Sequence, residues 1–239
     1  YTSVTQIHEY EKYLYQNLSI EEIRQKFQSL KTDTKIKDKT KALHAIALAK
    51  KASKHILDME YYDVQLLGAL ALIDGCMAEM KTGEGKTLTC SAAVAANFVL
   101  GHKTHVATAN EYLAQRDQEY LAPLYDSLGI VSSFSISRMD KSQKRIAYDA
   151  DVVYSTAQEL GFDFLRDNLV YSLEDKVQQH DLGKIKAIID EADFILIDEA
   201  RTPLIISGDT PSKPTDIYKK IRNIALQLEK MPKAPNDDY

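Results

Sequence analysis

Met80-Lys81-Thr82-Gly83-Glu84-Gly85-Lys86-Thr87 is the stretch that decides how this chain folds. Gly85-Lys86-Thr87 is the G-K-[ST] ending of a phosphate-binding loop. Upstream lies Cys76-Met77-Ala78-Glu79-Met80, short and apolar enough to read as a strand. Downstream, Leu88 to Leu100 is Ala-rich and long enough for a helix. Strand, glycine loop and helix form the setting such a loop needs. The general pattern has Gly where this chain has Met80, so the variant here is x-x-T-G-x-G-K-T.

The residue types follow from the chemistry. Gly83 and Gly85 reach backbone angles closed to other residues, which lets their amides turn inward. Those amides and the following helix N-terminus make a nest for phosphate oxygens. The Lys86 ammonium reaches the β- and γ-phosphates, and the Thr87 hydroxyl is a ligand for Mg²⁺. Thr82, Gly83, Glu84, Gly85, Lys86 and Thr87 are therefore the expected nucleotide contacts, with ATP and Mg²⁺ as cofactors. Gln65, upstream, has an amide able to pair with the N6 and N7 edge of adenine. On chemistry alone a single Gln is more often structural.

Composition sets the frame. The 239 residues are 44% hydrophobic and 27% charged, with a net charge of −5, ordinary for a globular α/β protein with a sizeable core. That acidity argues against a protein that coats nucleic acid. The two cysteines, Cys76 and Cys90, form no C-x-x-C pair, which disfavours a disulfide framework or a zinc site. No apolar run reaches the roughly 18 residues of a membrane span, and no signal-peptide pattern opens the chain. The start at Tyr1 and the end at Tyr239 without a closing element lead us to expect a piece of a longer protein.

Residues 1–58 read as helical. Ser19-Ile20-Glu21-Glu22 has the form of a capping box, with Ile20, Ile23, Phe27 and Leu30 inward. A third helix is expected over 36–57, with Ile36, Leu43, Ile46 and Ile56 inward. Its lysines, including Lys41 and Lys50, share no single stripe, so a solvated face is preferred over a contact with acidic lipid or nucleic acid. From 103 onward, strands (103–109, 130–136, 151–155) alternate with helices (110–128, 140–149, 156–169), which implies a parallel sheet with helices on both faces. Asn110 and Gly129 are the expected caps of the second of these helices. Thr202–Gly208 reads as extended, 209–214 as a linker and Thr215–Met231 as a helix.

Lys184-Ile185-Lys186-Ala187-Ile188-Ile189 leads into Asp190-Glu191, the acidic pair expected at a parallel strand's end facing the phosphate loop. Asp190 would hold Mg²⁺ through water, and Glu191 would polarise the attacking water. Phe194 to Ile197 leads into a second pair, Asp198-Glu199. Spacing leaves both open, with the first ahead because its strand is stronger. The losing pair is expected to face solvent from a helix, bridging to Arg201.

Several stretches together resemble the SecA family, the ATPase motors of bacterial preprotein translocation. They are Tyr62–Gly68, Ala78–Leu88, Ala109–Asp117, Gly161–Asn168 and, most specific, Ile195–Gly208. The resemblance runs from about Leu18 to the chain end. It implies that Gln65 is the adenine-contacting glutamine, Gly83–Thr87 the ATP phosphate loop, Asp190 the Mg²⁺ carboxylate, and Glu191 with Lys86 the catalytic pair. Arg116 and Arg166 fall in motifs that couple nucleotide to partners.

The implied fold is a RecA-like P-loop domain at 60–208. A helical arm (1–59) precedes it and the start of a preprotein-binding region (209–239) follows. The implied partners are preproteins and a SecYEG-type membrane channel, with no nucleic acid, and an anionic membrane surface and a homodimer are left open. The implied place is the cytoplasmic face of the cell membrane. The second RecA-like domain of such motors, which supplies arginine to the transition state, lies outside this sequence. Glu60, Ala192 and Phe194 depart from the family's usual Arg, Val and Ser, and leave open a housekeeping motor or an accessory paralogue. The other readings are a nucleic-acid helicase-like ATPase and a non-catalytic interaction module.

Overall fold

The computed structural model describes residues 2–178, 182–206 and 221–222. The chain divides into two compact units, Tyr1–Leu204 and Ile205–Tyr239. The expected linker at 209–214 and most of the helix expected at 215–231 lie outside the described residues.

Helices α1 (Thr2–Glu9), α2 (Ile20–Thr32), α3 (Asp38–Leu57) and α4 (Asp63–Ile73) precede the phosphate loop, and α5 (Lys86–Val99) follows it. Then come β1 (Lys103–Thr108), α6 (Glu111–Leu128), β2 (Ser132–Phe134), α7 (Lys141–Asp149), β3 (Val152–Thr156), α8 (Ala157–Asp167) and β4 (Ile185–Ile189). All pairings are parallel, in the order β2-β3-β1-β4.

The local signals explain most of these boundaries. Ser19 N–H donates to Glu22 Oε2 at 2.8 Å and Glu22 N–H to Ser19 Oγ at 3.4 Å, so the capping box opens α2 as its sequence requires. Leu113 N–H donates to Asn110 Oδ1 at 2.9 Å, and Gly129, at φ 75°, closes α6.

Alternation in the strands builds two cores. Val106 of β1, Val152 and Tyr154 of β3 and Ile188 of β4 join α2, α3, α5 and α6 in the main core. Val153, on the opposite face of β3, packs with Tyr148, Ala150 and Val177. Helices therefore cover both faces over β3. At β4 the second face is open, with Ile189 40% exposed.

Some expectations fail, each for want of a long-range partner in the local sequence. Cys76–Met80 is no strand: it takes irregular structure, with Met77 81% exposed. Ile56 points outward at 38% exposure, although Leu43 and Ile46 are inward. The lysine face of α3 is not uniformly solvated. Lys41 and Lys50 are buried, and Lys50 pairs with Glu11. Described residues 202–206 have no regular structure.

The segment before α2 is tied to α3 by rings. Tyr10 stacks on His44 with centroids 4.0 Å apart, and Tyr15 Oη lies 2.7 Å from His44 Nδ1. Burial pushes His44 below the ordinary imidazole range and lifts the Tyr15 phenol to about 12.

Candidate nucleotide site

The phosphate loop turns on two glycines in the left-handed region, Gly83 at φ 88° and Gly85 at φ 81°. Gly85 is the N-cap of α5, and its carbonyl accepts from Leu88 N–H and Thr89 N–H, both at 3.1 Å. Lys86 and Thr87 thus occupy the first turn of α5, where the positive end of the helix dipole favours an anion. Thr82 and Gly83 are exposed at the tip. Glu84 closes the loop on itself, its carboxylate accepting from Lys81 N–H at 2.9 Å. The motif gives no hint of this role, because it leaves position 84 unspecified.

Gln65 is brought to the loop by α4. It is 5% exposed, and its Nε2 donates to the Glu84 carbonyl at 2.8 Å while its Oε1 accepts from Tyr62 N–H at 3.0 Å. A primary amide has two donors and two acceptor lone pairs, so one donor and one acceptor remain. That is the complement of the adenine N7 and N6–H₂ edge. A Cβ on Gly85 would fall on Gln65 Nε2, so glycine is required here by both backbone angle and space.

Asp190 and Glu191 follow β4 directly. Asp190 N–H donates to the Ala107 carbonyl at 2.8 Å, extending the β1–β4 ladder by one bond. Glu191 then turns into the left-handed region at φ 53°, one of two non-glycine residues to do so among those described. Its Oε1 lies 3.5 Å from Lys86 Nζ. The first acidic pair therefore meets the phosphate loop. Burial, and then the charge of Glu191, hold Asp190 above the usual carboxylate range. Beneath the loop, burial pushes the Cys90 thiol up to about 12, which keeps it protonated and inert.

The second pair is elsewhere. Asp198 ends a π-helical turn, Phe194–Asp198, and is exposed; Glu199 accepts from Gln158 Nε2 at 3.2 Å rather than bridging to Arg201. This turn and Leu204 line a cavity of about 180 Å³ at the C-terminal ends of β1 and β3, beside the phosphate loop rather than in it.

Arg116 and Arg166 both serve carboxylates. Arg116 binds Asp117 through Nε and Nη2, at 2.9 and 2.6 Å. Arg166 Nη1 lies 2.9 Å from Asp163 and 3.3 Å from Glu159, and both acids also hold Lys144, a buried residue of α7. Sequence spacing gave no sign of this network, because Lys144 comes from a different helix.

The arrangement fits a nucleoside triphosphate. It offers loop amides and one cation for the phosphates, a carboxylate beside that cation, and a half-used amide for a base. Thr87 and Asp190 are hard oxygen donors of the type Mg²⁺ takes.

Comparison with known proteins agrees. The model of the SecA DEAD-like domain matches residues 1–236. The protein translocase subunit SecA of Cupriavidus metallidurans is 49% identical over 186 residues, covering 78% of this chain and 20% of the relative. The subunit SecA of Chromohalobacter salexigens is 49% identical over 185 residues, 77% of this chain and 20% of the relative. That of Aliarcobacter butzleri is 46% identical over 220 residues, 90% and 25%. The chain thus spans about a fifth to a quarter of the length of these curated relatives. With the whole of its described fold inside the matched region, this chain belongs to the SecA DEAD-like domain family.

Proposed function

We propose that this chain binds Mg·ATP and forms half of the catalytic site of a SecA-type translocation ATPase. The observation that carries the reading is the meeting of Lys86 and Glu191, 3.5 Å apart across the start of α5. The loop amides of Gly83 to Thr87 and the Lys86 ammonium bind the phosphates. Gln65 reads adenine with its remaining donor and acceptor. Mg²⁺, held by Thr87 and through water by Asp190, would neutralise charge on the β- and γ-phosphates.

Glu191 orients a water for in-line attack on the γ-phosphorus and accepts its proton. The bond from that phosphorus to the β–γ bridging oxygen breaks, giving ADP and inorganic phosphate. Lys86 stays charged against the oxygens where negative charge accumulates.

We further assign residues 1–59 to a helical arm, 60–208 to the first RecA-like domain and 209–239 to the start of a preprotein-binding region. The parent protein couples hydrolysis to moving preproteins through a SecYEG-type channel. It works as a peripheral protein on the cytoplasmic face of the membrane, and an anionic membrane surface and a second copy are further partners to test.

Phosphate release by the chain, alone and with the rest of the parent protein added, tests the assignment. We expect slow turnover alone and recovery on addition, because a missing transition-state arginine costs roughly 10³–10⁵ in rate. Fast turnover by the chain alone would show that its site is complete.

A further inference from the structure

The Lys86–Glu191 contact bears on how nucleotide enters and leaves. This step rests on reading Thr82–Thr87 as a phosphate loop. Lys86 has Glu191 as its ion-pair partner among the described residues, and the two side chains are 33% and 46% exposed. Glu191 reaches Lys86 only because its backbone adopts φ 53°, a region disfavoured for a residue with a Cβ. Three bonds hold that turn. Asp190 N–H donates to the Ala107 carbonyl at 2.8 Å, Glu191 N–H to Asp190 Oδ1 at 3.1 Å, and Ile195 N–H to the Glu191 carbonyl at 3.3 Å. The carboxylate is thereby aimed at the same ammonium that the polyphosphate needs.

We propose that the Glu191 carboxylate is an internal stand-in for phosphate: it occupies Lys86 in the empty site, yields it to nucleotide, and recaptures it as product leaves. Half-exposed ion pairs are weak, so a polyphosphate seated on several amides displaces this one readily. The exchange has two consequences. Nucleotide affinity is lowered by the competition. Glu191 is also freed to orient water only once phosphate holds Lys86, which links the base's availability to occupancy of the site.

ADP is the probe, because its binding is read without turnover. Its affinity is measured by calorimetry for the chain, Glu191→Gln, Lys86→Ala and the double variant, with thermal unfolding confirming that each folds. Glu191→Gln should bind ADP about two- to fivefold more tightly, a gain sized by a part-exposed pair. That gain should vanish when Lys86 is already alanine.

Unchanged or weaker binding by Glu191→Gln overturns the proposal. So does a gain that persists without Lys86, since it would report only relief of repulsion between two anions. If Lys86→Ala loses affinity while Glu191→Gln matches the wild type, this proposal alone fails. If wild type and Lys86→Ala bind alike, or none of the four binds, the phosphate-loop reading fails and takes the proposal with it.

Discussion

Lys86 and Glu191 face each other at 3.5 Å, yet they stand on unlike supports. Lys86 begins α5, in which every residue from Leu88 to Val99 is buried. The small Ala92, Ala93, Ala95 and Ala96 of α5, fully buried, let neighbouring helices come close, and Phe98 stacks on Phe27 of α2 with ring centroids 5.8 Å apart. Glu191 follows β4, where Ile188 alone of five residues is buried. Beyond it, Leu196 and Ile197 are 57% and 72% exposed. Local opening is easier where few apolar contacts must break. The phosphate loop is therefore built into the main core, while the carboxylates hang from a sheet edge by a few backbone hydrogen bonds. A site made this way can keep its anion nest fixed while its acidic side adjusts.

The sharpest way to break this contrast is to remove an apolar side chain from each support. Phe27→Ala should cost about 3–5 kcal/mol in denaturant unfolding, because Phe27 is fully buried against α5. Ile189→Ala, at a position 40% exposed, should cost under about 1 kcal/mol. Similar costs for the two would mean that the edge strand is as firmly held as the helix.

A smaller effect is expected inside the loop. Gly85→Ala forces a Cβ into a left-handed conformation and onto Gln65 Nε2, so the Gln65–Glu84 bond must give way. About 1–3 kcal/mol of strain follows, seen as a lower unfolding midpoint together with weaker nucleotide binding. If only stability falls and binding holds, the loop tolerates movement of Gln65, and the built-in nest is less rigid than its packing suggests.

The smallest effect concerns how the segment before α2 is held. His44 has its folded pKa below the ordinary 6.5 because it is buried between Tyr10 and Tyr15. A depressed folded pKa favours the neutral imidazole in the packed state. The packing is therefore fully supported above pH 6.5 and loses support as pH falls through the lower folded value. Amide exchange across residues 2–14, relative to α5, should speed up over that interval. Exchange that stays flat, or slows on acidification, would reverse the sign assigned to His44.

What could be read from the sequence follows the range of the interactions. Ser19 and Glu22, Asn110 and Gly129 act within a turn of their own position, so their caps were legible. The β-branched runs of β1, β3 and β4 announced the parallel sheet, and Gly83 and Gly85 announced the loop. Cys76–Met80 read as a strand because its residues suit one, but a strand also needs a neighbour, which no local signal supplies. Lys50 and Lys144 looked like surface lysines, because Glu11, Glu159 and Asp163, which allow their burial, lie on other helices. The two acidic pairs were inseparable by spacing; the backbone turn at Glu191 distinguishes the one that reaches Lys86.

The most direct test of a preformed phosphate loop is equilibrium binding of a fluorescent ATP analogue with Mg²⁺ to this chain and to Lys86→Ala. The wild type should bind, and loss of the charged donor should weaken it by about 1.5–3 kcal/mol, roughly 10- to 100-fold. Equal binding by the two proteins would contradict the assignment of Lys86, and with it the loop, as the phosphate site.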